Sequence, residues 1–277
     1  MLIKANAKIN LTLDVGKKRI DGYHEIHSVM QSISLCDFIT IQKSDELMFF
    51  CDDDSLLNND NLAFVAAKEF LEETGIEQNV KITLEKHIPV GAGLGGGSSD
   101  AAAVLRGMNQ MFDYPLNDEE LNHIAMNIGA DVPFCLVGGT ALCEGIGEKV
   151  TPIDALPTVT VLIAKPMMKD STGNAYKRLD DLGLPPKNPN KKILKSETVF
   201  DVCDNLSNDF VLLYKDTPVV ETAELIREFN PDGMNLSGSG PALFAIFTNS
   251  QDAEDCHQML LRRGTESYIC ETVDHID

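Results

Sequence analysis

The clearest chemical signal in the chain is the run Pro89-Val90-Gly91-Ala92-Gly93-Leu94-Gly95-Gly96-Gly97-Ser98-Ser99-Asp100. Five glycines within the seven residues from Gly91 to Gly97 permit positive φ and close backbone approach, so successive N–H groups can converge on an anion. A helical pattern follows at once, and the open donors and dipole of its first turn favour the same kind of ligand. Ser98 and Ser99 add hydroxyls for a phosphate oxygen or Mg2+. The chemistry implied is the cradling of a phosphate; the plainer alternative is a flexible turn capped by Ser98 or Ser99. The run contains G-x-G-x-x-G at Gly91, Gly93 and Gly96. The preceding Val80, Ile82 and Leu84, however, alternate with polar residues where a dinucleotide-binding fold has a continuously apolar parallel strand. No G-x-x-x-x-G-K-[ST] pattern is present, so the positive charge a phosphate requires must come from elsewhere in the chain.

Lys8 is the first candidate for that charge. It lies on the polar side of an alternating segment, near Asn10 and Lys4, where an ammonium can stabilise a transferring phosphoryl group. The alternative is a solvated strand lysine. Asp131, in Gly129-Ala130-Asp131-Val132-Pro133-Phe134, sits at a polar break where a carboxylate beside a lysine can accept a hydroxyl proton. It is equally readable as the N-cap of a short helix with Pro133 in its first turn. Ser237-Gly238-Ser239-Gly240-Pro241 reads either as a plain turn or as a second glycine loop closing on a substrate. Asp52-Asp53-Asp54 reads as a solvated loop, and His24 and His27 as surface or ligand-contact residues, because no partners for a metal site are found near them.

The elements that must carry these residues follow from periodicity. Ile9, Leu11, Leu13 and Val15 alternate with Lys8, Asn10, Thr12 and Asp14, which predicts a half-buried strand. Short strand-like runs are expected between residues 23 and 50, a helix from Asn61 stopped by Gly75, and a strand over Val80–Leu84. An amphipathic helix then carries Ala101, Val104, Leu105, Met108, Met111 and Phe112 on one stripe. Asn117 is expected to cap a further helix ending near Gly129. A hairpin or loop over 138–152 leads to a domain boundary near 152, giving domains 1–152 and 153–277. The second half reads as α+β: a strand at Val159–Ala164, a helix capped by Ser171 or Thr172, an irregular stretch at Pro185, Pro186 and Pro189, then helix, strand, helix and strand.

Composition narrows the partners. With 23 basic and 43 acidic residues the formal charge is −20, spread over both halves. Nucleic acid is an unfavourable partner for such a surface, and anionic small molecules would need a locally cationic site. Seven cysteines form no C-x-x-C pair, which argues against structural zinc and a disulfide framework. No apolar run reaches the ~18 residues of a membrane span, so the chain is expected to be cytoplasmic and to make no membrane contact.

Taken together, PVGAGLGGGSSDAAA and the later NLSGSGPALFAIF resemble the two glycine loops of the GHMP kinases. The extra glycines, with AKINLTLDVGKKRIDGYHEIHSVMQSI and GADVPFCLVGGTALCEGIGE, are similar to the branch of that superfamily acting on 4-diphosphocytidyl-2-C-methyl-D-erythritol. The resemblance implies an α+β GHMP kinase fold, with a ribosomal-protein-S5-like N-terminal domain and a ferredoxin-like C-terminal domain enclosing the nucleotide. It implies ATP and Mg2+, a small-molecule acceptor in isoprenoid precursor synthesis, and a monomer or homodimer. Lys8 and Asp131 match the catalytic pair, and Pro89 to Ser99 the ATP loop. Asn10 and Thr172 match positions near the polyol and its phosphates; Tyr23, His24 and Tyr176 match the walls of a cytidine pocket. The alternatives are a homoserine or mevalonate type of GHMP kinase, which the DGYH segment disfavours, and a noncatalytic nucleotide-binding protein of the same fold.

Overall fold

A computed structural model describes residues 1–168, 171–183 and 189–275. The expected irregularity at Pro185 and Pro186 lies outside the described residues. The chain runs β1 (Leu2–Lys18), β2 (His24–Ser44), β3 (Met48–Cys51), α1 (Leu62–Thr74), β4 (Asn79–Glu85), α2 (Gly96–Met111), α3 (Asp118–Ile128), α4 (Val132–Val137), β5 (Thr140–Gly145) and β6 (Lys149–Pro152). It continues through β7 (Thr160–Lys165), α5 (Thr172–Asp181), α6 (Val199–Asp204), β8 (Ser207–Asn208), α7 (Pro218–Arg227), β9 (Gly233–Leu236), β10 (Leu243–Phe247), α8 (Ser250–Arg262) and β11 (Glu266–Glu271). No helix among the described residues is long and apolar enough to cross a membrane.

The first sheet has the order β3-β4-β2-β1-β8, with the β5–β6 hairpin attached to β2. The second has the order β11-β7-β10-β9. Segment 23–50, expected as short runs, is dominated by one 21-residue strand, β2, long enough to pair with β1, β4 and β5 at different points along its length. The helix boundaries follow local chemistry. Asn61 caps α1 by accepting from the Ala63 amide and Gly75 closes it in the left-handed region. Asn117 and Glu120 form a reciprocal capping box on α3. Ser171 caps α5.

Strand β1 departs from the expected half-buried alternation, because Lys8, Asn10, Thr12 and Asp14 are buried as well as the apolar residues between them. The pairing of β1 with β2 shifts register between Asn6 and Lys8 and again between Asn10 and Thr12. The first shift places two extra residues on β2 and the second one extra residue on β1, and the faces of β1 exchange across this stretch. Ile3, Ala5, Leu13 and Val15 accordingly join the core that contains α1, α2 and α3, while Ala7, Ile9 and Leu11 join a second core with β7 and β10. Lys8 and Asn10 are thereby turned toward the α2 side of the sheet, where every other inward residue of β1 is apolar.

Helix α2 lies against β1 and β2 through a close approach at Gly107. A Cβ there would collide with Cδ1 of Ile3 and come within 2.9 Å of Cδ1 of Ile41. Crowding of this kind costs about 1–3 kcal/mol, which exceeds the roughly 1 kcal/mol an alanine gains over glycine inside a helix. Gly107→Ala is therefore expected to lower the urea midpoint of unfolding. In an Ile3→Val background, which removes the colliding methyl, the same change should cost markedly less, and a double-mutant cycle measured by urea denaturation checks the difference.

Candidate active site

The glycine segment is held open by its own carbonyls. Leu94 O accepts the Lys8 amide at 3.0 Å, Ala92 O the Ala242 amide at 3.1 Å, and Gly93 O the Ser237 hydroxyl at 2.9 Å. With these carbonyls turned into the protein, the peptide dipoles present their positive ends to the opposite side. Helix α2 begins immediately afterwards. Its N-cap is Gly95, in the left-handed region and without a side-chain capping bond, so the orphan first-turn amides stay available for a ligand. Two of the glycines are required by proximity. A Cβ on Gly93 would strike Ser237 O, and one on Gly95 would lie 2.9 Å from Cγ of Lys8.

Lys8 is buried, and its ammonium lies 2.7 Å from Asn10 Oδ1 and 3.3 Å from Asp131 Oδ2. Asn10 cannot flip freely, because its Nδ2 donates to Ser28 Oγ at 2.8 Å while Oδ1 also accepts the Gly238 amide at 2.9 Å. Asp131 occupies the N-cap position of α4, with Pro133 in the first turn, but its side chain makes no capping bond. Its carboxylate faces Lys8 instead and remains about one-third exposed. The two readings of Asp131 thus separate: its position is that of a helix start, and its side chain serves the ion pair.

These groups border one cavity of about 780 Å³, together with Tyr23, His24, Thr172, Tyr176 and the residues from Pro89 to Ser98. At the far end His24 stacks on Tyr176, with ring centroids 5.1 Å apart, and Tyr176 meets Phe210 edge-on at 4.9 Å. Burial pushes the Tyr176 hydroxyl well above its ordinary pKa, so it stays protonated. His24 Nε2 lies 2.7 Å from Asp180 Oδ1, and Asp180 also accepts from Lys18 at 2.5 Å. The Lys18 and His24 contacts hold the Asp180 carboxyl below its usual range. Thr172 accepts from the Ser239 hydroxyl at 3.3 Å.

Ser99 is placed differently from Ser98. Its hydroxyl is buried and donates to Asn6 O, which leaves Ser98 as the loop hydroxyl on the cavity. The second glycine loop, for which a plain turn and a closing loop were both open, closes on the first through Ala242 and Ser237, and Gly238 and Ser239 line the cavity. Asn208 supports it from below by donating to Leu236 O and Gly238 O, both at 2.9 Å.

The motifs did not reveal a buried charge cluster beside the loop. Lys86 Nζ donates to Asp100 Oδ2 at 2.8 Å and to Asp37 Oδ2, and Asp37 is fully buried. An aspartate within the apolar strand around Asp37 was the one available hint. Burial depresses the Lys86 pKa, yet its two carboxylate partners outweigh that and raise it. Burial pushes the Asp100 carboxyl up to about 8 against the pull of Lys86, with Asp37 adding to the rise. A carboxyl whose pKa is raised on folding binds an extra proton in the folded state. Its contribution is therefore greatest below the ordinary value of 3.8 and is lost as pH climbs through about 8. Unfolding measured in urea between pH 5 and pH 9 should show wild type losing stability relative to Asp100→Asn, with a slope of at most about 1.4 kcal/mol per pH unit.

Comparison with known proteins agrees with this architecture. Residues 61–139 match the family described as GHMP kinases N terminal domain. The 4-diphosphocytidyl-2-C-methyl-D-erythritol kinase of Caldicellulosiruptor saccharolyticus is 45% identical over 91% of this chain and 90% of its own length. That of Clostridium beijerinckii is 40% identical over 99% of this chain and 100% of its own. A crystal structure of a 4-(cytidine 5'-diphospho)-2C-methyl-D-erythritol kinase superposes with a TM-score of 0.79 at 31% identity, covering 98% of this chain and 99% of that one. The mevalonate kinase of Methanococcus jannaschii shares the fold at TM-score 0.75 and 17% identity. The two glycine loops and the near-complete alignment to these relatives lead to one assignment: the chain belongs to the 4-diphosphocytidyl-2-C-methyl-D-erythritol kinase family of the GHMP kinases.

Proposed function

We propose that this chain transfers the γ-phosphate of ATP to the 2-hydroxyl of 4-diphosphocytidyl-2-C-methyl-D-erythritol by direct in-line displacement, within the methylerythritol phosphate route to isoprenoid precursors. The observation that carries the chemistry is the Lys8–Asp131 pair, 3.3 Å apart on the cavity that the glycine loop borders. In this reading residues 1–152 form the domain that bears the loop and the pair, and residues 153–277 form the domain that closes over them.

Asp131 accepts the hydroxyl proton as the acceptor oxygen bonds to the γ-phosphorus, and the bond to the β-phosphate oxygen breaks to release ADP. Lys8 stabilises negative charge on the nucleophile and the transferring group, and Asn10 keeps its ammonium in place. The amides of the loop and the start of α2 hold the triphosphate. Ser98, whose hydroxyl borders the cavity, is the loop side chain that would help hold Mg2+, which would supply neutralisation of phosphate charge. The acceptor's base is held among Tyr23, His24 and Tyr176, and its polyol end lies toward Thr172 and Asn10. That division fits an aromatic cluster at one end of the cavity and an ion pair at the other.

Incubation with ATP and the cytidylylated erythritol, mevalonate or homoserine should yield ADP only with the first acceptor. Equal turnover with mevalonate or homoserine would overturn the choice of acceptor. Asp131→Asn and Lys8→Ala are each expected to lower kcat by about 10²- to 10⁴-fold, while equilibrium binding of ATP stays within about threefold because neither residue belongs to the amide cradle. Wild-type turnover by purified Asp131→Asn would show that the base is another group.

A further inference from the structure

The cluster of Lys86, Asp37 and Asp100 has no part in the transfer described above, yet it meets the glycine loop at both ends. Lys86 stands three residues before Pro89, and Asp100 stands just inside α2. Although separated by 14 residues, they are joined at 2.8 Å through the Lys86 ammonium. Asp37, on β2, binds the same ammonium through Oδ2, and its Oδ1 accepts the amides of His87 at 2.5 Å and Ile88 at 2.7 Å. The segment entering the loop, the helix leaving it and the central strand are thus tied at a single point. The loop backbone rests on that point, since a Cβ on Gly96 would lie 3.3 Å from Lys86 Nζ and 3.1 Å from Ile88 Cγ2.

Glycines carry a large conformational entropy in an untethered loop, and closing its ends removes part of that cost before a ligand arrives. The charge state of the cluster suits the task. Burial and the neighbouring Asp37 raise the Asp100 carboxyl, which lessens the negative charge the cluster sets beside an incoming triphosphate.

We propose that Lys86, Asp37 and Asp100 are positioning residues that clamp both ends of the glycine loop and thereby set the affinity for ATP, without touching the reacting atoms. The inference rests on the reading of that loop as the triphosphate cradle. Lys86 and Asp100 border the cavity, so the rival is a direct contact of Lys86 with a phosphate. Asp37 separates the two, because it is fully buried and can act only through its partners.

The test pairs steady-state kinetics with amide hydrogen exchange in protein without added nucleotide, using Lys86→Met, Asp37→Asn, Asp100→Ala and Asp100→Asn. The clamp requires Lys86→Met and Asp37→Asn each to raise the KM for ATP about tenfold or more, with kcat and the acceptor KM within about twofold. It also requires faster exchange over residues 91–97 and unchanged exchange in β7, β10 and β11. Asp100→Ala should behave in the same way, and Asp100→Asn, which keeps an uncharged oxygen acceptor for Lys86, should recover most of the loss. A rise in KM for Lys86→Met without one for Asp37→Asn would overturn the clamp in favour of direct phosphate contact. Unchanged exchange over 91–97, or a loss confined to kcat, would also overturn it. If Lys86→Met does not fold, Asp100→Ala decides by the same two measurements, since it leaves Lys86 and Asp37 joined. Absence of turnover by wild type with every acceptor would defeat the functional reading instead, and exchange over 91–97 would still decide the clamp.

Discussion

A lysine ammonium almost completely removed from water is the constraint on which the site depends. Lys8 is only 4% exposed at its side chain, and a charge in that position is tolerated only when it is paired and hydrogen-bonded. Asn10 supplies the neutral partner from the same strand, and Asp131 supplies the counter-charge from the start of α4. Each requirement recruits structure. Asn10 must be held in one orientation, which engages Ser28 and the Gly238 amide; Gly95 must lack a side chain so that the lysine stem can pass beneath the loop. The short helix α4 must begin at Asp131 without taking its carboxylate as a cap.

The overall charge of −20 makes the local arrangement necessary. A triphosphate approaching this surface meets a repulsive field, and the attraction must come from groups fixed within a few ångströms. The loop amides and the uncapped start of α2 provide fixed partial positive charges that do not titrate, and the Lys8 ammonium on the cavity is balanced by Asp131. Balanced clusters of this kind let an acidic protein bind an anion without exposing a basic patch.

The second sheet acts on the site through one contact region. Ala242 and Ser237 bind the carbonyls of Ala92 and Gly93, and Gly238 binds Asn10, so the loop that precedes β10 fixes both the cradle and the lysine's partner. The two cores meet along β1, whose register shifts direct some of its apolar residues to each. Between Ala7 and Val15 the strand serves two cores and has no face left for solvent, and its polar residues there, Lys8, Asn10, Thr12 and Asp14, are buried and hydrogen-bonded within the protein.

Much of this was legible in the residues alone. The glycine run, the helix after it, the caps at Asn61 and Asn117 and the aromatic and histidine pair at Tyr23 and His24 are local features, written in propensity and spacing. They identified the loop, named Lys8 and Asp131 as candidates and located most helices. Spacing left two questions open: whether Lys8 was solvated and whether Asp131 merely capped a helix. Both depended on partners more than a hundred residues away. The register shifts in β1 left no trace in its regular alternation, because a bulge is decided by pairing with β2 and not by the residues of β1 themselves. The Lys86, Asp37 and Asp100 cluster was hidden for the same reason, since its three members come from separate elements and have no common motif. The sequence by itself determined which chemical groups the chain can offer; only tertiary structure decided which of them lose their water and must find one another, because burial and pairing are properties of the packed whole.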